Sequence, residues 1–168
     1  MLTKKVETAL NKQINAEFWS AYLYLSMSAY FQTNNLSGFA NWMKIQAMEE
    51  SSHALKFINY VIERGGKVKL EPIAKVDNDW KNTIQAFEDT LNHEKKVTKM
   101  INDIADIAAD EKDRATLQFM QWFITEQVEE EATAEEILQQ LKMIKGEGHG
   151  LLLIDRELKS RTFVNTAE

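Results

Sequence analysis

The stretch AMEESSHALKF, residues 47–57, decides how this chain is read. Taken as helix, it continues an apolar stripe of Phe39, Met43 and Gln46 that runs on to Phe57 and Val61. Glu50 and His53 stand on that same stripe, where Leu or Ile would be expected. Residues three apart on a helix project to one side, so this carboxylate and this imidazole can face a single partner.

Three other segments repeat the helical period. The first carries Val6, Leu10, Gln13/Ile14, Glu17, Ala21, Tyr24 and Phe31. The third carries Trp80, Ile84, Phe87, Leu91, Glu94, Thr98, Ile101, Ala105 and Ala108. The fourth carries Leu117, Met120, Ile124, Gln127, Glu130/Glu131, Ala134, Leu138 and Leu141. QTNNLSG (32–38) and ADEKDR (109–114) are short breaks, and short breaks make antiparallel helix pairs. GGKVKLEPIAKVDND (65–79) is different. Fully extended it reaches about 50 Å, which matches the roughly 44 Å of a helix over residues 36–64. The expected fold is all-α. Two helical hairpins are joined by one long crossover into a four-helix bundle over about residues 3–145, within one domain spanning 1–168. KGEGHG (145–150) ends the fourth helix. LLLIDRELKSRT (151–162) then reads as a short amphipathic fifth helix that must dock on something, being too short to stand alone.

Composition narrows the function. Pro occurs once and Gly six times, which suits long helices. The net charge is -6 and no basic run exceeds Lys4-Lys5 or Lys95-Lys96, so no nucleic-acid partner is indicated. The chain has no Cys, hence no disulfide framework, zinc finger or thiol nucleophile. No membrane span is expected, because no run approaches about eighteen apolar residues. The N-terminus shows no apolar signal core either. A soluble, cytoplasmic protein is the expectation.

Each stripe holds a polar anomaly: Glu17; Glu50 with His53; Glu94; Gln127 with Glu130. The midpoint of Glu17 and Glu50 falls between Thr33 and Asn34, in the first turn, and that of Glu94 and Gln127 between Asp110 and Glu111, in the break after the third segment. The separation from Glu17 to Glu94 equals that from Glu50 to Gln127, 77 residues. In a bundle of two hairpins, all four anomalies therefore fall at one height near the middle. Buried carboxylates without partners cost several kcal/mol or stay protonated, and four together also repel. The stripes offer no Lys or Arg at that height. Carboxylates with one imidazole suit a hard or borderline divalent metal. Inward Glu residues with Glu-x-x-His are the pattern of di-iron carboxylate bundles.

At these residues the chain resembles a bacterial non-haem ferritin over essentially its whole length. NAEFWSAYLYLS (15–26), AMEESSHALKF (47–57), HEKKVTKMI (93–101), QWFITEQVEEE (121–131) and the terminal helix carry the resemblance. It implies a ferroxidase centre. Glu17, Glu50 and His53 would hold the first iron, and Glu50 would bridge to a second held by Glu94 and Glu130. Gln127 would sit beside the second iron or position its dioxygen. Glu49, Glu126 and Glu129 match a third iron site that shares Glu130. Tyr24 matches a tyrosine near the centre that hydrogen-bonds a ligand and supplies an electron. Trp122 is a weaker match for that role, and both aromatics can equally be packing residues.

Two departures from relatives are informative. The fourth helix reads Gln127-Val-Glu-Glu130 where metal-retaining oxidases repeat Glu-x-x-His, so the second iron should be held more weakly. Ser51 stands where haem-binding relatives carry Met, so no haem is expected. The implied function is iron storage. Fe(II) is oxidised by dioxygen or hydrogen peroxide and deposited as Fe(III) oxyhydroxide inside a homo-oligomeric shell of twenty-four subunits. The alternative is a di-iron oxidase or peroxidase that keeps its metals. A DNA-protecting shell fits less well, since it would place metal ligands between subunits. Leu151-Leu152-Leu153 suits burial at a shell axis, or the fifth helix caps its own bundle. Asp106, Asp110, Glu111 and Asp113 can line an iron channel or form a solvated helix end. His93 is expected at the surface, and His149 in a Gly-rich hinge.

Overall fold

The structure is a computed structural model that describes residues 1–165. Its helices are α1 (Lys4–Thr33), α2 (Ser37–Glu63), α3 (Thr83–Asp110), α4 (Arg114–Met143) and α5 (Gly148–Leu158), with no strand among the described residues. Local chemistry sets the ends. Thr3, Asn82 and Asp113 cap α1, α3 and α4 by accepting from Val6, Gln85 and Thr116 N–H groups. Asn35, Lys112 and Lys145 adopt positive φ after α1, α3 and α4, the left-handed turn that closes a helix C-terminus.

α1 packs on α2, α3 on α4, and α1 on α3. The connector between α2 and α3 is laid along α1 by α1's own side chains. Asn11 bonds the backbone of Lys67 and Lys69, and Asn15 the carbonyls of Glu71 and Pro72. Ser26 takes the carbonyl of Asp77. Trp80 is not the first residue of the third helix, as its periodicity suggests. It is a buried connector residue packed edge-on against Tyr30, and α3 starts three residues later at Thr83, after its Asn82 cap. The expected crossover is thus present, and it holds α3 antiparallel to α1, with Ser20 opposite His93 and Met27 opposite Thr90.

The apolar core is in two parts. One holds Tyr24, Phe31, Phe39, Phe87 and Leu138; the other holds Leu10, Ile14, Phe57, Ile101 and Phe123. On every bundle helix the polar anomaly lies between them. Ile14 and Leu23 flank Glu17, Ala47 and Phe57 flank Glu50 and His53, Leu91 and Val97 flank Glu94, and Phe123 and Ala134 flank Gln127 and Glu130.

α5 starts at Gly148, three residues before the expected 151, and ends at Leu158 rather than 162. The early stop has a cause: Asn41 Nδ2 donates to the carbonyls of Leu158, Lys159 and Arg161, which turns the chain off the helix axis. α5 docks on α2 of its own chain. Ile154 and Asp155 are buried, while Leu152 and Leu153 remain exposed at 54% and 64%. Asp155 Oδ1 accepts from the N–H groups of Gly38 (2.8 Å) and Phe39 (3.1 Å), capping an α2 N-terminus whose own Leu36 cannot. Only glycine fits at position 38, because a Cβ there would stand 1.5 Å from the Asp155 carbonyl oxygen. Asp155→Ala removes this cap and is expected to cost about 1–2 kcal/mol in denaturant unfolding. An unchanged unfolding midpoint would show that the carboxylate does not hold α2.

Candidate metal centre

The bundle brings the sequence-predicted residues together. Glu17, Glu50 and Glu94 are each 1% exposed, His53 2% and Gln127 5%. Two sets of potential ligand atoms form between the cores, each within 4.8 Å of one another: Glu17, Glu50 and His53, and Glu50, Glu94 and Glu130. Glu50 is common to both. A third set, His53, Glu126 and Glu130, lies on the α2–α4 side. Among the outer residues, Glu49, Glu126 and Glu129 line one pocket with Glu130. Glu49 is drawn to Arg161 Nη2, Glu126 reaches towards His53, and Glu129 is exposed.

Burial dominates the electrostatics. It raises the Glu50 carboxyl from its ordinary 4.5 to about 8, helped by the charge of Glu94. Burial raises Glu94 to about 7, helped by Glu17 and opposed by hydrogen bonds from Tyr24 and Gln127. Glu17 is pushed well up by burial and then by Glu50, and Glu130 by burial and then by Glu94 and Glu50. Without metal, these carboxyls therefore hold protons near neutral pH, where isolated carboxyls would be ionised. A divalent cation would replace those protons. Two buried ligand atoms fit such an ion: Glu17 Oε2 and His53 Nε2 have no hydrogen-bond partner among the described residues.

The remaining side chains orient the ligands. Gln13 Nε2 donates to Glu17 Oε1 at 2.8 Å. Gln46 Nε2 donates to Glu130 and, at 3.4 Å, to Glu50. Gln127 Nε2 donates to Glu94 Oε2 at 3.2 Å, to its carbonyl, and to Thr98 Oγ1. Tyr24 donates its phenol proton to Glu94 Oε1, and burial with the Glu94 charge keeps that phenol well above its ordinary value. Trp122 meets His53 edge-on, with ring centroids 5.4 Å apart.

Sequence reasoning missed Gln13 and Gln46 as orienting groups, although each lies one turn before its carboxylate on the same stripe. It missed Arg161 because periodicity carried α5 past it. The stripes do lack a cation at this height, but Arg161 reaches the edge of the layer from outside the bundle. His93 is not a surface residue. It is half-buried, shares a 2.8 Å hydrogen bond with Ser20 Oγ and packs against Trp19, and burial lowers it to about 4. Its 100° step away from Glu94 turns it towards α1 rather than to solvent. At the break between α3 and α4, Glu111 pairs with Lys5, and Asp113 with Arg64, while Asp106 and Asp110 are exposed.

A family model for the ferritin-like domain matches residues 7–144. The bacterial non-heme ferritin of Bacteroides fragilis is 45% identical over 161 residues, 96% of this chain and 100% of that protein. The bacterial non-heme ferritin of Staphylococcus aureus is 37% identical over 163 residues, 97% and 98% of the two chains. A crystal structure of an open-pore ferritin from the hyperthermophilic archaeon Archaeoglobus fulgidus superposes with a TM-score of 0.95 and 46% identity, covering 96% of this chain and 100% of that one.

The raised carboxyls have a consequence for stability. The folded, metal-free chain holds protons that the unfolded chain releases above about 4.5. Stability of metal-free protein is therefore expected to fall as pH rises from about 5 to 8, by several kcal/mol in total. Glu50→Gln, which cannot ionise, should flatten the slope in chelator-treated samples. A wild-type slope that is flat or of opposite sign would refute the protonated layer.

Proposed function

The chain belongs to the ferritin-like family and is an iron-storage protein, and from that premise we propose that the carboxylate layer is its ferroxidase centre. The observation that carries the reading is Glu50, which lies within ligand reach of both sets of groups. One carboxylate can then hold two Fe(II) side by side, the first with Glu17 and His53 and the second with Glu94 and Glu130. Two Fe(II) so placed can give two electrons to one dioxygen, which takes up two protons and leaves as hydrogen peroxide; peroxide itself can accept a further pair. The four carboxyls supply the proton chemistry, since each gives up its proton when a cation arrives.

Gln127 is proposed to position Glu94 through its amide rather than to bind metal by nitrogen, because that nitrogen is already turned to Glu94. The second ion then has carboxylates only, which favours passing it on over keeping it. Tyr24, bonded to Glu94, is proposed as the nearby electron source and orienting group, with Trp122 against His53 as a packing partner. Glu49, Glu126, Glu129 and Glu130 are proposed to take a third iron on its way out. The haem-free reading draws support from Ser51, whose hydroxyl turns back onto the Ala47 carbonyl.

Storage needs a container. The outer face of α1 and α2 exposes Tyr22, Leu25, Met48 and Leu55, each between 40% and 54%. Such an apolar face suits contact with a second copy, and the exposed Leu152 and Leu153 suit a further one. We read bundle and α5 as one domain, tied by Asp155, that assembles into a hollow shell of twenty-four subunits. No helix among the described residues is long and apolar enough to cross a membrane; a cytoplasmic location is part of the proposal.

The test is iron retained per chain. Fe(II) is added in air in steps to metal-free protein, unbound iron is removed, and soluble metal is measured. The expected result is retention that climbs far beyond the few ions a fixed centre can hold. Saturation at two or three would instead identify a di-iron enzyme that keeps its metals, and retention near zero would remove metal from the account.

A further inference from the structure

Arg161 lies on the segment after α5, and two features fix where its side chain goes. Asn41 Nδ2 donates to the backbone carbonyl of Arg161 itself at 2.9 Å, pinning the main chain beside α2. The guanidinium lies over the Trp42 ring, 4.6 Å from its centroid. From there Nη2 donates to the Glu49 carboxylate, and Nη1 donates to Gln46 Oε1 at 2.9 Å. Both partners face the pocket that Glu126, Glu129 and Glu130 also line, a space of about 190 Å³ in which Arg161 is the one cationic side chain among the described residues. The ion pair is partly sheltered, with side chains 25% and 16% exposed.

Gln46 extends this contact inward. An amide has one oxygen side and one nitrogen side. With Arg161 on the oxygen, the nitrogen is directed to Glu130 and Glu50. The guanidinium therefore occupies Glu49 at the wall of the outer carboxylate pocket, and it is linked through one side chain to the inner centre.

We propose that Arg161 is a tethered cation that occupies Glu49 at the wall of the outer carboxylate pocket of the metal-free chain and competes for that ligand with a divalent metal ion. The inference rests on the reading of Glu49, Glu126, Glu129 and Glu130 as a third metal site. A metal entering that site must first displace the guanidinium from Glu49, and the returning guanidinium helps expel it. The outer site is thereby kept weaker than the inner pair without the loss of any ligand. Arg161 differs from a free cation in being delivered by the backbone, so its competition does not depend on solution concentration.

Calorimetric titration of metal-free protein with Zn²⁺, a redox-inert probe, tests this. Arg161→Gln is expected to raise the affinity of the outermost bound ion about tenfold, the size of a charge-assisted hydrogen bond, and to change the two tighter ions, reached only through Gln46, by less than that. Adding Glu49→Gln should abolish the gain, and Arg161→Lys should stay near wild type. Asn41→Ala, which frees the segment without touching the pocket, should shift the outer ion in the same direction as Arg161→Gln. It also serves as the independent variant if Arg161→Gln does not fold. An outer affinity unchanged or lowered in Arg161→Gln and Asn41→Ala, with the inner ions bound, would overturn the role of Arg161 alone. Absence of the two inner ions in wild type would overturn the metal-centre reading together with it.

Discussion

Four carboxylates held at one height inside an apolar bundle repel each other and have lost their water, and the rest of the structure is arranged around that fact. An ordinary four-helix core would be continuous. Here it is split, with aromatic-rich clusters on either side and Glu17, Glu50, Glu94 and Glu130 between them. The conflict is relieved in the metal-free chain by protonation, which is why burial drives these groups upward rather than breaking the bundle. Relief by metal is the stronger alternative, because a divalent ion answers both the repulsion and the orphaned atoms of Glu17 and His53.

Rigidity around the layer follows from how the helices are paired. Each hairpin presents its two polar positions symmetrically about its own turn, and the crossover sets the two hairpins to the same height. The crossover is not slack chain: Asn11, Asn15 and Ser26 of α1 hold its backbone along its course. Trp80 then locks its far end against Tyr30. Gln13 on Glu17, Gln46 on Glu130 and Glu50, and Gln127 on Glu94 set ligand direction once height is fixed. A preformed arrangement of this kind suits an ion that must enter, react and leave, since the protein need not reorganise at each step.

Much of this was legible in the sequence because it depends on period and symmetry. Glu50 and His53 betray themselves by standing on an apolar stripe, and equal spacing about two turns places four helices' anomalies in one layer. The long connector is legible from its reach alone. What stayed hidden depends on contacts between residues far apart in sequence. Nothing in the helical period says that Asp155 would cap α2, that Gly38 would admit it, or that Asn41 would end α5 at Leu158 and swing Arg161 to Glu49. His93 illustrates the same limit: a step of 100° fixes the direction away from Glu94, but only the packing of α1 decides that the direction leads inward. The ferritin-like resemblance supplied the roles of the ligands, and the geometry supplies a reason for each placement.

The central claim is that Glu50 serves two ions at once. The most direct test is anaerobic Fe(II) binding by equilibrium dialysis to wild type and to Glu17→Ala, Glu94→Ala and Glu50→Ala proteins, counting the tightly bound ions per chain. The account predicts two in wild type, one in each of Glu17→Ala and Glu94→Ala, and none in Glu50→Ala. If Glu50→Ala loses only one ion, or none, the layer does not hold a shared-carboxylate pair and the account is contradicted.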